Sequence, residues 1–206
     1  MSDSQKFMRN ILLFGGMWGV AEATLGYLLH FLPTGISGMV MFPIGFYFMF
    51  NAFKSTGKES AIFMTAMVAA GLKCVDLLIP ANTFLKVSNP ALSIILESLV
   101  VFGFVTFYRE KQYFQPAALV SLGWIFLFII SQALIFKPAE GLYLMPAMKM
   151  TVYIAFNTFI SGLLIGAYLK FRDVKMLNLN ISHYSFIQPG LIIILAIICE
   201  LGNSLI

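Results

Sequence analysis

Seven polar side chains interrupt otherwise apolar stretches of this sequence: Glu22, Lys73, Asp76, Glu97, Gln132, Asn157 and Glu200. Carboxylates, a lysine and carboxamides are the groups that hold small charged or hydrogen-bonding ligands, exchange protons, or neutralise one another. Lys73 and Asp76 stand three apart, which on a helix puts them on one face and lets them pair. Glu22 and Glu97 have no basic residue within their own apolar stretches, so at least one of them is left protonated, hydrated or holding a cation. Glu22, Asp76 and Glu97 stand against Lys73, with Glu200 adding a further acid. A pocket built from these residues leans acidic and favours a ligand with a positive group. The plainer alternative for each acid is a carboxyl that bonds a helix carbonyl and does nothing more. No HExxH, GxSxG, Walker loop or paired-histidine motif is present, so no catalytic residue, metal set or cofactor is expected, and the chain reads as a non-enzyme.

The elements that must position these residues are membrane helices. Of 206 residues, 60% are hydrophobic and 11% charged, against about 25% charged in soluble domains; the mean hydropathy is +0.90. At roughly 20 residues per crossing, the chain has room for about six or seven helices in one membrane domain. The apolar runs are 11–31, read as an uncleaved first span, then 37–53, 60–79, 89–108, 116–136 and 148–171. A shorter run, 191–206, covers only about 24 Å of a layer roughly 30 Å thick, which leaves open whether it spans. Pro43 is expected to bend the second span unless a neighbour satisfies the carbonyl it frees. Asn89-Pro90 reads as a polar residue before a first-turn proline that opens the fourth span. The fold class expected is an all-α polytopic bundle.

Lys6, Arg9, Lys54, Lys58, Arg109, Lys111, Lys170, Arg172 and Lys175 fall at the start or in alternate loops, against Lys86, Lys137 and Lys149 on the other side. By the positive-inside tendency the amino terminus is cytoplasmic, in a cell membrane whose default is a prokaryotic inner membrane. Counted along the helical rise, Glu22 lies roughly 14 Å from the outer end of its span, Lys73 roughly 9 Å, Asp76 roughly 5 Å and Glu97 roughly 12 Å. Gln132, Asn157 and Glu200 come out near roughly 6, 14 and 9 Å. Charges inside a bilayer carry a penalty of about 2.5–3.5 kcal/mol each on insertion scales, so seven costly groups in one half of the layer point to a pocket open to the outside. The substrate-binding set expected is Glu22, Lys73, Asp76, Glu97, Gln132 and Asn157.

Gly15, Gly19 and Ala23 form a small-residue ridge on the first span, and Thr158, Gly162 and Gly166 form another on the sixth. Such ridges admit a close helix, either within the bundle or from a partner subunit. Cys74 and Cys199 lie in apolar runs without a metal or redox motif. The basic residues are dispersed along the chain, which argues against nucleic acid. Membrane lipid and a small-molecule substrate are the expected contacts.

The first-span stretch Gly15-Gly16-Met17-Trp18-Gly19-Val20-Ala21-Glu22-Ala23, the segment Pro33-Thr34-Gly35-Ile36-Ser37-Gly38 and the fourth-span Asn89-Pro90-Ala91-Leu92-Ser93-Ile94-Ile95-Leu96-Glu97 resemble the substrate-binding S components of energy-coupling factor transporters. That family consists of small six-helix membrane proteins that capture vitamins. The resemblance implies an outward-facing pocket, a cytoplasmic amino terminus, and a transmembrane coupling subunit working with ATPases. It also implies that Gly15, Gly19 and Ala23 form the ridge docking that subunit. A seventh segment and an acidic layer depart from the family's commonest pattern. Two other readings stand beside it: an ion-coupled secondary transporter in which Glu22 or Glu97 exchanges a proton, and a structural subunit of a larger membrane complex.

Overall fold

The computed structural model describes residues 2–29, 31–32, 35–79, 82–108, 112–137, 141–172 and 186–202, without the side chain of Lys86. Pro80, His30, Arg109, Lys111, Lys175, His183 and the last four residues of the run 191–206 lie outside the described residues. No strand occurs among the described residues. Helix α1 runs Asp3–Leu29, α2 Ile36–Thr56, α3 Ser60–Leu78, α4 Phe84–Phe107, α5 Phe114–Phe136, α6 Ala147–Phe171 and α7 Ile187–Gly202. The first six are long and apolar enough to cross a membrane, and α7 is a shorter apolar helix. The chain is an all-α polytopic bundle whose outward faces expose residues such as Leu78, Phe107, Leu134 and Met148. That much contiguous apolar surface suits lipid rather than water.

Local chemistry explains where the helices begin and how they survive their prolines. Helix α1 starts earlier than the apolar run because Ser2 and Gln5 form a reciprocal capping box, with Gln5 N donating to Ser2 Oγ at 3.3 Å and Ser2 N donating to Gln5 Oε1 at 3.0 Å. Gly57, at φ 67°, ends α2 with its N–H on the Phe53 carbonyl. Pro43 sits inside α2 and has no N–H for the Met39 carbonyl four residues back. Ser161 of α6 donates its hydroxyl to that carbonyl at 3.0 Å, so helix α2 continues through Pro43 without unwinding. Pro90 differs from its expected place: α4 begins at Phe84, which puts Pro90 in the helix interior. In apolar surroundings, backbone groups must be satisfied within the helix, and the segment before Pro90 stays helical. Asn89 thereby becomes a wall residue rather than a cap.

Short connections join α1 to α6 as antiparallel neighbours. Helix α2 is central, touching α1, α3, α4 and α6, while α5 lies against both α4 and α6. Helix α7 lies outside this group against α1. The half of the bundle nearer the amino terminus is filled by rings: Phe46 stacks on Phe50 and meets Phe104 edge-on, and Phe50 meets Tyr108 and Tyr168. Arg172 stands over the Phe50 and Tyr108 rings. The opposite half is not filled in this way.

Both small-residue ridges are consumed inside the bundle, which corrects the docking role expected for Gly15, Gly19 and Ala23. A Cβ on Gly15 would collide with Val68, one on Gly19 with Leu72, and Ala23 is fully buried. Gly15 and Gly19 therefore form the seat of α3 within the bundle. Gly162 and Gly166 likewise face Ala118 and Phe114 of α5. The absent side chains let helix axes approach closely, and van der Waals packing replaces the hydrophobic drive that lipid cannot supply.

Candidate functional site

Two helices change winding at the end of the bundle opposite the amino terminus. In α1, residues Glu22–Gly26 form a π turn, and in α5 residues Gln132–Phe136 do the same, closed by Lys137 N on the Gln132 carbonyl at 2.8 Å. Such turns insert an extra residue into the helix and re-aim the side chain at their start. Here the residues at their starts, Glu22 and Gln132, both face one cavity of about 370 Å³. Its walls come from α1, α2, α4, α5 and α6, and the connection Gly141–Leu142 borders it.

The floor is aromatic. Trp124, which lines the cavity, stacks on the fully buried Phe42 with ring centroids 5.4 Å apart. Next to the floor lie two acids. Glu22 Oε1 accepts the Trp18 indole N–H at 3.2 Å. Glu97, only 4% exposed, places its Oε2 beside Gly45, which the Trp18 ring also approaches, and that oxygen has no hydrogen-bond partner. A Cβ on Gly45 would occupy the space of the carboxyl, so glycine is what admits Glu97 to this depth.

Amides and a phenol line the rest. Gln132 Nε2 donates to Asn89 Oδ1 at 2.6 Å, tying α5 to α4. Tyr153 donates its hydroxyl to the Gly35 carbonyl at 3.2 Å and accepts from Asn157 Nδ2 at 3.5 Å. Gly35 has φ 97°, and a Cβ there would strike the Tyr153 ring, so glycine serves both the left-handed backbone and the close approach. Asn157 is fully buried, and its Oδ1 has no partner.

Of the residues expected to bind substrate, the structure brings Glu22, Glu97, Gln132 and Asn157 to this cavity and places Lys73 and Asp76 elsewhere. Lys73 Nζ lies 2.7 Å from Asp76 Oδ2 and 3.0 Å from Glu200 Oε2. It also donates to Glu200 Oε1 at 3.3 Å. This cluster joins the last turn of α3 to α7 behind the cavity wall. Asp76 keeps one buried oxygen, Oδ1, without a hydrogen bond. The assignment of Lys73 and Asp76 to the substrate site is thus corrected: three-residue spacing turns both toward α7, where Glu200 completes their environment.

Tyr153 and Asn89 line the cavity without having been expected to bind a ligand, and Trp18 holds Glu22 from outside the lining. Two carried a readable signal, since Trp18 precedes Glu22, and Tyr153 precedes Asn157, by one helical turn. Asn89 was hidden by the assumption that Pro90 opens a helix. Trp124 also lines the cavity. No group of three or more histidine, cysteine or acidic side chains suited to a metal occurs among the described residues. Compared with protein-family models, curated proteins and solved structures, the chain matches none.

Proposed function

We propose that this chain is a membrane-embedded, non-catalytic binding subunit for uptake of a small, vitamin-like nutrient bearing a positive group. On this reading it works with a transmembrane coupling subunit and ATPases, as the resemblance to energy-coupling factor S components implies. One observation carries the reading: among the described residues the cavity is lined by two carboxyl groups and by no lysine or arginine, while Lys73 is held by Asp76 and Glu200. With the amino terminus cytoplasmic, the mouth opens outward, and the ring-filled half closes the path inward. A chain that binds but does not conduct by itself has this form.

A second reading, an ion-coupled secondary transporter, draws on the same pair. Neither Glu22 nor Glu97 forms an ion pair among the described residues, and an acid without a fixed counter-charge can exchange a proton with a transported ligand. Native mass spectrometry of the gently extracted protein, followed by uptake into liposomes, separates the two. A co-purifying small cation with ATPase partners, and no uptake by the chain alone, supports the binding subunit. Uptake by the chain alone supports the transporter. An empty cavity that takes up no cationic molecule would remove both.

A further inference from the structure

We propose that the deep end of the cavity is built for a cation that donates hydrogen bonds through N–H groups, an amidinium, guanidinium or unsubstituted ammonium, and not for a quaternary ammonium. This inference rests on the binding reading above and narrows its ligand class.

Several donors in and beside the lining are spent on the protein itself. The Trp18 indole N–H goes to Glu22, a Gln132 N–H to Asn89, the Ser93 hydroxyl to the Asn89 carbonyl and the Tyr153 hydroxyl to the Gly35 carbonyl. The last of these fixes its neighbour. A backbone carbonyl can only accept, so the Tyr153 proton points to Gly35 and its lone pair is left for Asn157. The Asn157 amide must then turn its nitrogen toward Tyr153 and its oxygen away, which removes the usual ambiguity of amide orientation. Among the fully buried polar side-chain atoms of the described lining, the two without a partner are the oxygens Glu97 Oε2 and Asn157 Oδ1. Both side chains are more than nine-tenths buried and both line the cavity. Buried polar atoms are ordinarily paired, and these two are complemented only by a molecule that donates.

An aromatic cage for a quaternary ammonium is the competing design, because Trp124 and Phe128 line the same space. A cage needs several free ring faces. Trp124 has one face covered by Phe42, and a permethylated cation would leave both orphan oxygens unsatisfied. The cavity, about 370 Å³, falls within the range of small-molecule sites. The ligand is therefore compact, with its charge and its N–H groups at one end and an apolar body against the rings.

The test compares three probes of similar size on the detergent-purified full chain: benzamidine, phenyltrimethylammonium and neutral benzamide. Affinities come from thermal-shift titration and are checked by native mass spectrometry. Benzamidine is expected to bind at least about tenfold tighter than either other probe, and Asn157→Ala is expected to narrow that ratio. A separate readout uses the co-purifying molecule itself. Its mass in deuterated water should rise by at least two exchangeable hydrogens. Equal binding of the two cations, or a co-purifying ion without exchangeable hydrogens, overturns the donor requirement and leaves the cationic site standing. Preference for benzamide, or no binding by any of the three, overturns the cationic site together with this inference.

Discussion

The Lys73–Asp76–Glu200 cluster and the Glu22–Glu97 pair are made of similar side chains in neighbouring parts of one bundle, and they have opposite outcomes. In the first, a lysine is shared by two carboxylates within hydrogen-bond distance, and the cluster ties a peripheral helix to the bundle. In the second, Trp18 bonds Glu22 and Gly45 makes room for Glu97, while no lysine or arginine among the described residues pairs with either acid. Ionisable groups in a membrane interior are expensive. Where the protein supplies the counter-charge, the residues stabilise the fold; where it does not, the proposed cationic ligand would supply it. Residue type alone does not separate the two cases.

Removing the counter-charge breaks the comparison most severely. Lys73→Met leaves Asp76 and Glu200 buried without a cation and is expected to lower stability by about 3–5 kcal/mol, read as a fall in thermal unfolding temperature in detergent. The triple change Lys73→Met, Asp76→Leu, Glu200→Leu is expected to recover most of that loss, because no charge is left stranded. Glu97→Gln should do the reverse. Its stability should change by less than about 1 kcal/mol, while affinity for a cationic probe such as benzamidine falls about tenfold to a hundredfold, as loss of a charged hydrogen bond predicts. Preserved affinity would show that Glu97 is packing rather than site.

Two smaller effects sharpen the contrast. Gly45→Ala pushes a methyl into the space of the Glu97 carboxyl and the Trp18 ring, which is expected to destabilise by about 1–3 kcal/mol and to weaken probe binding as well. Ser161→Ala strips the Met39 carbonyl of its donor and is expected to cost about 1 kcal/mol. In a Pro43→Ala background the restored N–H can fill that carbonyl, and the Ser161 effect should shrink. A double-mutant cycle that finds no coupling between residues 43 and 161 would refute this account of how α2 passes through its proline.

Six spans and a short seventh apolar segment were legible in the sequence, because hydropathy and helical rise act locally and require no knowledge of neighbours. So was the crowding of polar groups toward one end, where Glu22, Glu97, Gln132 and Asn157 now share a cavity. The start of α4 was misread because a proline after asparagine looks like a helix opening. In fact Phe84–Phe107 continues through it, and the error concealed Asn89.

Tertiary structure alone decided which acid Lys73 serves and what the glycine ridges touch. Glu200 lies 127 positions from Lys73 along the chain, and nothing local states that α7 docks against α1 rather than against α6. The turn of each helix about its own axis, set by Gly15 and Gly19 against α3 and by Gly162 against α5, determines whether a carboxyl meets a lysine or an open cavity. Composition can reveal that charges are buried. Only the rotation and neighbours of the helices determine which of those charges are left uncompensated.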